Sequence, residues 1–173
     1  MKTRIVLVVV SFVLISAFSL VAQEQQKTEP EPQSTTVICT YPDDKEISVR
    51  FHSVEYNKKN EPPIGKPWTP EGVPVFLFTP TELMVGNSTI PTGAYSLYTI
   101  KNKASWTLII SRNVTQGTPY DEKQDVARVT METGKLPSAN KPYVVSLGHI
   151  APKVCSLQIV YGDTGVWAEF KQK

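Results

Sequence analysis

From Thr35 to the C-terminus the chain never sustains a 3.6-residue apolar period; its apolar residues alternate in short runs separated by turn residues. A period of two points to an all-β fold, because only a pleated strand puts every second side chain on one face. Over residues 46–56, Ile47, Val49 and Phe51 alternate with Ser48, Arg50 and His52, the pattern of a half-buried strand. Residues 73–79 are apolar throughout except for Pro74 and Thr79, as expected of a strand covered on both faces. Further strands are expected over residues 83–90, 94–100, 106–112, 126–132, 143–150, 154–161 and 166–171. So many short strands in one domain predict a single antiparallel β-sandwich. Uneven strand lengths favour jelly-roll-like closure, with a closed β-barrel as the alternative.

Residues 90–110, IPTGAYSLYTIKNKASWTLII, show how local the signals are. Pro91 suits the second position of a type I turn, and Gly93 suits a following left-handed position. Tyr95, Leu97 and Thr99 then share one face, and Ser96, Tyr98 and Ile100 the other. A polar turn at Asn102 and Lys103 leads to Trp106, Leu108 and Ile110, which resume the alternation. Each residue has a structural reason to be there, and the hairpin by itself carries no chemistry.

Before the strands come two segments of different composition. Lys2 and Arg4 precede an almost wholly apolar stretch over residues 5–22, and Gln23 begins a polar run. That is a secretory signal pattern with cleavage near Ala22. Leu20 is bulky for the −3 position and the run is nearly long enough to span a bilayer, so an uncleaved anchor is the alternative. Residues 23–34, QEQQKTEPEPQS, hold no aliphatic or aromatic side chain and read as a flexible linker. Residues 35–173 form the single expected domain, placed in the periplasm or outside the cell, with no transmembrane segment after cleavage. Removing residues 1–22 takes away Lys2 and Arg4 and no acid, so 18 basic and 16 acidic residues become 16 and 16. A neutral surface without a Lys/Arg cluster sets nucleic acid aside as a partner.

Cys39 and Cys155 both fall in the exported part. Cys39 shares a strand face with Val37 and Tyr41, and Cys155 with Leu157, Ile159 and Tyr161, so both sulfurs are expected to point inward. In an oxidising compartment a disulfide is the leading reading; two separate buried thiols are the alternative.

Taken together, IPTGAYSLYTI, SWTLIISR, YDEKQDVARV and KLP, in this order and spacing, resemble the bacterial domain-of-unknown-function family 2911. The likeness spans roughly residues 46–171 and is strongest over 90–137. It implies an exported, mostly β domain with no established activity. Members of that family carry an Arg-Thr-Gly-Ala-Asn-Glu run after a central Trp. Here Trp68 is followed by Thr69-Pro70-Glu71-Gly72-Val73, without the Arg or the Asn.

Two segments hold the candidate site residues. Residues 57–74, NKKNEPPIGKPWTPEGVP, carry five prolines and two glycines and read as a long structureless connection, a kind that is often functional. Within it Trp68, next to Glu71, is either a platform for a sugar ring or flat ligand or a plug at one end of the core. Residues 120–125, Tyr-Asp-Glu-Lys-Gln-Asp, place Asp121, Glu122 and Asp125 close together, either for a hard cation or as a solvated loop. Asp125 and Arg128 are three apart, on opposite faces of a regular strand, so a pair between them requires a turn. Tyr120 belongs to the same candidate set.

Catalytic signatures are absent from the sequence: no G-x-S-x-G elbow, no H-E-x-x-H and no phosphate-binding glycine loop. His52 and His149 lie on separate expected strands, and even with Glu55 they make a poor metal set; no metal and no cofactor is expected. Two readings result. In the first, a non-catalytic exported module binds an envelope glycan, peptide or protein through the proline-rich segment. In the second, a hydrolase or metal-dependent enzyme uses the clustered carboxylates.

Overall fold

A computed structural model describes residues 34–173; the signal pattern and all but the last residue of the linker lie outside the described residues. Twelve strands follow one another: β1 (Ser34–Thr40), β2 (Glu46–His52), β3 (Pro67–Trp68), β4 (Val75–Thr79), β5 (Leu83–Val85), β6 (Ser88–Ile90), β7 (Gly93–Lys101), β8 (Trp106–Ser111), β9 (Asp125–Lys135), β10 (Lys141–Ala151), β11 (Val154–Gly162) and β12 (Thr164–Gln172). No α-helix occurs among the described residues. None of their helical turns is long and apolar enough to cross a membrane.

The main path runs β1-β2-β4-β7-β8-β9-β12-β11-β10, antiparallel throughout. The all-β antiparallel expectation holds. The continuous path takes the molecule towards the barrel alternative, as a sheet nearly closed on itself with an unsealed seam between β1 and β10. What joins the two halves is β9. Its first part pairs with β8, up to Trp106 opposite Met131. Its last part pairs with β12, from Trp167 opposite Glu132 to Thr164 opposite Lys135. The expected single strand over residues 83–90 is instead a tight hairpin, β5 against β6, because Gly86 takes φ 55° and reverses the chain. Gly93 opens β7 at φ 155°, rather than at the left-handed value the turn pattern suggested.

Alternation sets the core as the sequence implied. Ile47, Val49 and Phe51 of β2, Val75 and Leu77 of β4, and Tyr95 and Leu97 of β7 face Leu157 and Ile159 of β11 and Val166, Ala168 and Phe170 of β12. Phe76 and Phe78 of β4 lie on the outer face, half-buried, with the Arg50 guanidinium 5.4 Å and 5.5 Å from their ring centres. Cys39 and Cys155 are bonded, with Cα atoms 6.3 Å apart, which ties β1 across the core to β11. The Tyr41 hydroxyl donates to the Phe170 carbonyl (3.0 Å), and Gln172 donates to Asp43 (2.8 Å) at the same end. At the other end the Tyr143 N–H donates to the Val54 carbonyl (2.7 Å), and the Ser53 hydroxyl donates to the Tyr143 carbonyl (3.0 Å). The second pair of bonds fastens β10 to the segment after β2, whereas the first ties the turn between β1 and β2 to β12.

Candidate functional site

The connection over residues 57–74 is not structureless. It holds two 3-10 turns, Lys58–Asn60 and Pro70–Gly72, and β3, which extends the line of β4 along β7 with Trp68 opposite Thr99. Thr99 faces inward, so Trp68 does too. Its ring meets Tyr143 edge-on (5.9 Å between centres) and leans on Tyr161 (5.3 Å). Trp68 thus plugs the core, yet it stays half-buried, and its outer side lines a cleft of 670 Å³.

The opposite wall comes from the connection between β8 and β9. Tyr120 packs edge-on against Tyr98 of β7, with ring centres 5.1 Å apart. A β-bulge sets this up. Ile110 pairs with Ala127 but Ser111 pairs with Asp125, so Val126 is an extra residue at the start of β9. The bulge shifts the alternation by one and puts Asp125 and Arg128 on the same face. The pair that needed a turn forms through the bulge instead: Arg128 Nε donates to Asp125 Oδ2 at 2.8 Å. The Tyr120 hydroxyl donates to the same oxygen (2.6 Å) and accepts from Arg128 Nη2 (2.6 Å). Glu122 Oε1 lies 3.1 Å from Arg128 Nη2. Burial, and then the hydrogen bond to Asp125, push the Tyr120 phenol up to about 12. Burial also raises Tyr98.

Of the expected site residues, Trp68, Glu71 and Tyr120 line the cleft. Asp125 and Arg128 lie behind it and hold Tyr120 in place. Asp121 caps the turn Glu122–Gln124 by accepting from the Lys123 N–H (3.0 Å). The carboxylates of this run serve the loop. No group of His, Cys, Asp and Glu among the described residues is arranged to hold a metal ion. His52 ends β2, and His149 sits solvent-exposed opposite Cys155 on β10.

The residue missed in the sequence is Tyr98. The hairpin judged silent supplies a wall of the cleft, and the one available signal was a tyrosine on its outward face. Prolines 63, 67, 74 and 119 complete the apolar lining, with Lys59, Asn60, Glu61 and Glu71 among its polar groups. Glu71 takes φ 51° and Gly72 φ 73°, two left-handed residues in succession. For Glu71 this is strain of order 1 kcal/mol, held by the flanking turn and by Asn60, whose Nδ2 donates to Glu71 Oε1 (3.3 Å).

A family model described as Protein of unknown function (DUF2911) matches residues 32–170. The chain belongs to the DUF2911 family. No curated protein and no solved structure matches it. In this DUF2911 domain the run after Trp68 departs from the pattern the resemblance implied. The strained Pro70-Glu71-Gly72 turn stands there, presenting one carboxylate to the cleft.

Proposed function

We propose that this DUF2911 domain is an exported binding module that holds an extended peptide segment of an envelope or secreted protein in its cleft. The observation that carries this reading is the convergence of two distant segments on one preorganised, aromatic and proline-lined cleft. Trp68 and Tyr98 already spend part of their rings on edge contacts with Tyr143, Tyr161 and Tyr120. They offer grooves between rings rather than a flat platform, which suits the ridges of a polyproline-II chain better than the face of a sugar. Tyr98 stands on a paired strand and the Tyr120 hydroxyl is held by Asp125 and Arg128, so little ordering entropy is lost on binding. The carboxylates near the cleft are already engaged: Glu61 accepts from Tyr56 (2.7 Å), Glu71 from Asn60, and Asp125 and Glu122 from Arg128. That supports binding over the hydrolytic reading. The Cys39–Cys155 bond and the signal pattern support export to the periplasm or beyond.

Calorimetric titration of the oxidised domain with short synthetic peptides, proline-rich and proline-free, tests the reading. Proline-rich peptides are expected to bind, and Tyr98→Ala is expected to weaken them at least about tenfold, as for an aromatic anchor in an interface. Failure of every peptide to bind, or binding indifferent to Tyr98→Ala, would overturn it.

A further inference from the structure

The outer face of the half formed by β9, β12, β11 and β10 carries one tryptophan among small and polar side chains. Register places Ser146, Gln158, Trp167 and Glu132 in one row across the four strands. Gly148, Ser156 and Glu169 form the next row. Trp167 is the one aromatic residue in these rows. Its Nε1 donates to Glu132 Oε2 (2.6 Å), and its benzo edge lies over Gly134, where a Cβ would come within 2.9 Å of Cη2. The indole is therefore fixed on the sheet before any ligand arrives. Beside it is a hollow of 350 Å³, lined by Ser146, Gly148, Ile150, Ser156, Gln158 and Trp167. No charged side chain lines it. Ile150 is 55% exposed at its edge, and a Cβ on Gly148 would meet nothing within 4 Å. The Ser146 hydroxyl donates to Gln158 Oε1 (3.4 Å), a bond that does not use the donors of the Gln158 amide.

We infer that this hollow is a second binding site, distinct from the cleft, for a neutral pyranose unit of an oligosaccharide. A pyranose has an apolar C–H face and a rim of hydroxyls that both donate and accept. A fixed indole matches the first, and two serine hydroxyls with a carboxamide match the second. An uncharged lining gives no compensation for a phosphate, a carboxylate or an ammonium removed from water, so charged ligands are disfavoured. The volume lies in the ordinary range of small-ligand sites. Glu132 acts as a positioning residue, holding the indole down without reaching the hollow.

The test titrates the oxidised domain by calorimetry with three neutral hexasaccharides: cellohexaose, laminarihexaose and chitohexaose. At least one is expected to bind. Trp167→Ala and, separately, Gly148→Leu are each expected to weaken it at least about tenfold. Gly148→Leu fills the hollow at a position with open space, so its denaturation midpoint should match the parent's and its loss of binding reports occlusion rather than misfolding. Tyr98→Ala, in the cleft, should leave sugar binding unchanged, which separates this site from the peptide reading. The inference is overturned if no hexasaccharide binds, if binding survives Gly148→Leu, or if Tyr98→Ala abolishes it.

Discussion

Trp68 shows how one side chain serves two purposes. It closes the core against Tyr143 and Tyr161 and turns its other side to the cleft. Trp68→Ala removes a large aromatic from that junction and is expected to cost about 3 kcal/mol, read as a lower urea midpoint at unchanged slope. An unchanged midpoint would mean that the contacts with the two tyrosines contribute nothing. Tyr120 gives a second test, with a defined sign. Its phenol is raised to about 12 in the folded protein from an unfolded value of 10.0. The stability it contributes is therefore complete below pH 10 and is lost as pH rises from there through about 12. Absorbance titration of the tyrosines should show Tyr120 ionising late together with buried Tyr41, and Tyr120→Phe should lower the amplitude of that late step by one tyrosine. At this scale the sequence was informative about candidates and silent about partners. Tyr120, Asp125 and Arg128 stood out together because they are near in sequence. Tyr98 did not, since alternation says only that a residue faces outward, and the segment that covers it starts more than ten residues later.

Strands were legible wherever one face is buried and the other wet, as in β2, where Ile47, Val49 and Phe51 alternate with polar residues. They were misread where backbone geometry overrides composition. Residues 83–90 are uniformly strand-like, yet Gly86 at φ 55° splits them into β5 and β6. The bulge at Val126 was equally hidden, because an inserted residue leaves no mark in a pattern read one strand at a time. That bulge is what puts Asp125 and Arg128, three apart, on one face behind the cleft wall. Deleting Val126 restores regular pairing with β8 and leaves Asp125 and Arg128 two residues apart, opposite Ser111 and Ile109 and so still on one face. The expected outcome is a folded domain in which Tyr120 keeps both partners and ionises as late as in the parent, visible in the same tyrosine titration. Earlier ionisation in the deletion variant would show that the extra residue itself, and not the shared face, positions the Asp125–Arg128 pair.

Across the whole molecule, the two halves are joined on one side by β9 and on the other by the Cys39–Cys155 bond and by the bonds of Ser53 and Val54 with Tyr143. Inward alternation made the Cys39–Cys155 bond foreseeable, and a closed barrel stood as one alternative, whereas the order of the strands did not show, because it is carried by no single segment. Replacing both cysteines by alanine should cost about 2–5 kcal/mol, measured by denaturation against the oxidised parent; reductant should lower the parent to the same midpoint. Equal stability of parent and variant would mean that the hydrogen bonds of Tyr41 and Gln172 fasten that end unaided. The 116-residue span has a further consequence for timing. Synthesis runs from the amino end, so Cys39 must remain a free thiol while nearly all of the domain is made. The bond can form only when β11 has appeared and the sheet has curled far enough to bring the two sulfurs together. Cys39 is thus a built-in reporter of completion, reactive in every truncated or stalled chain and protected in each finished one.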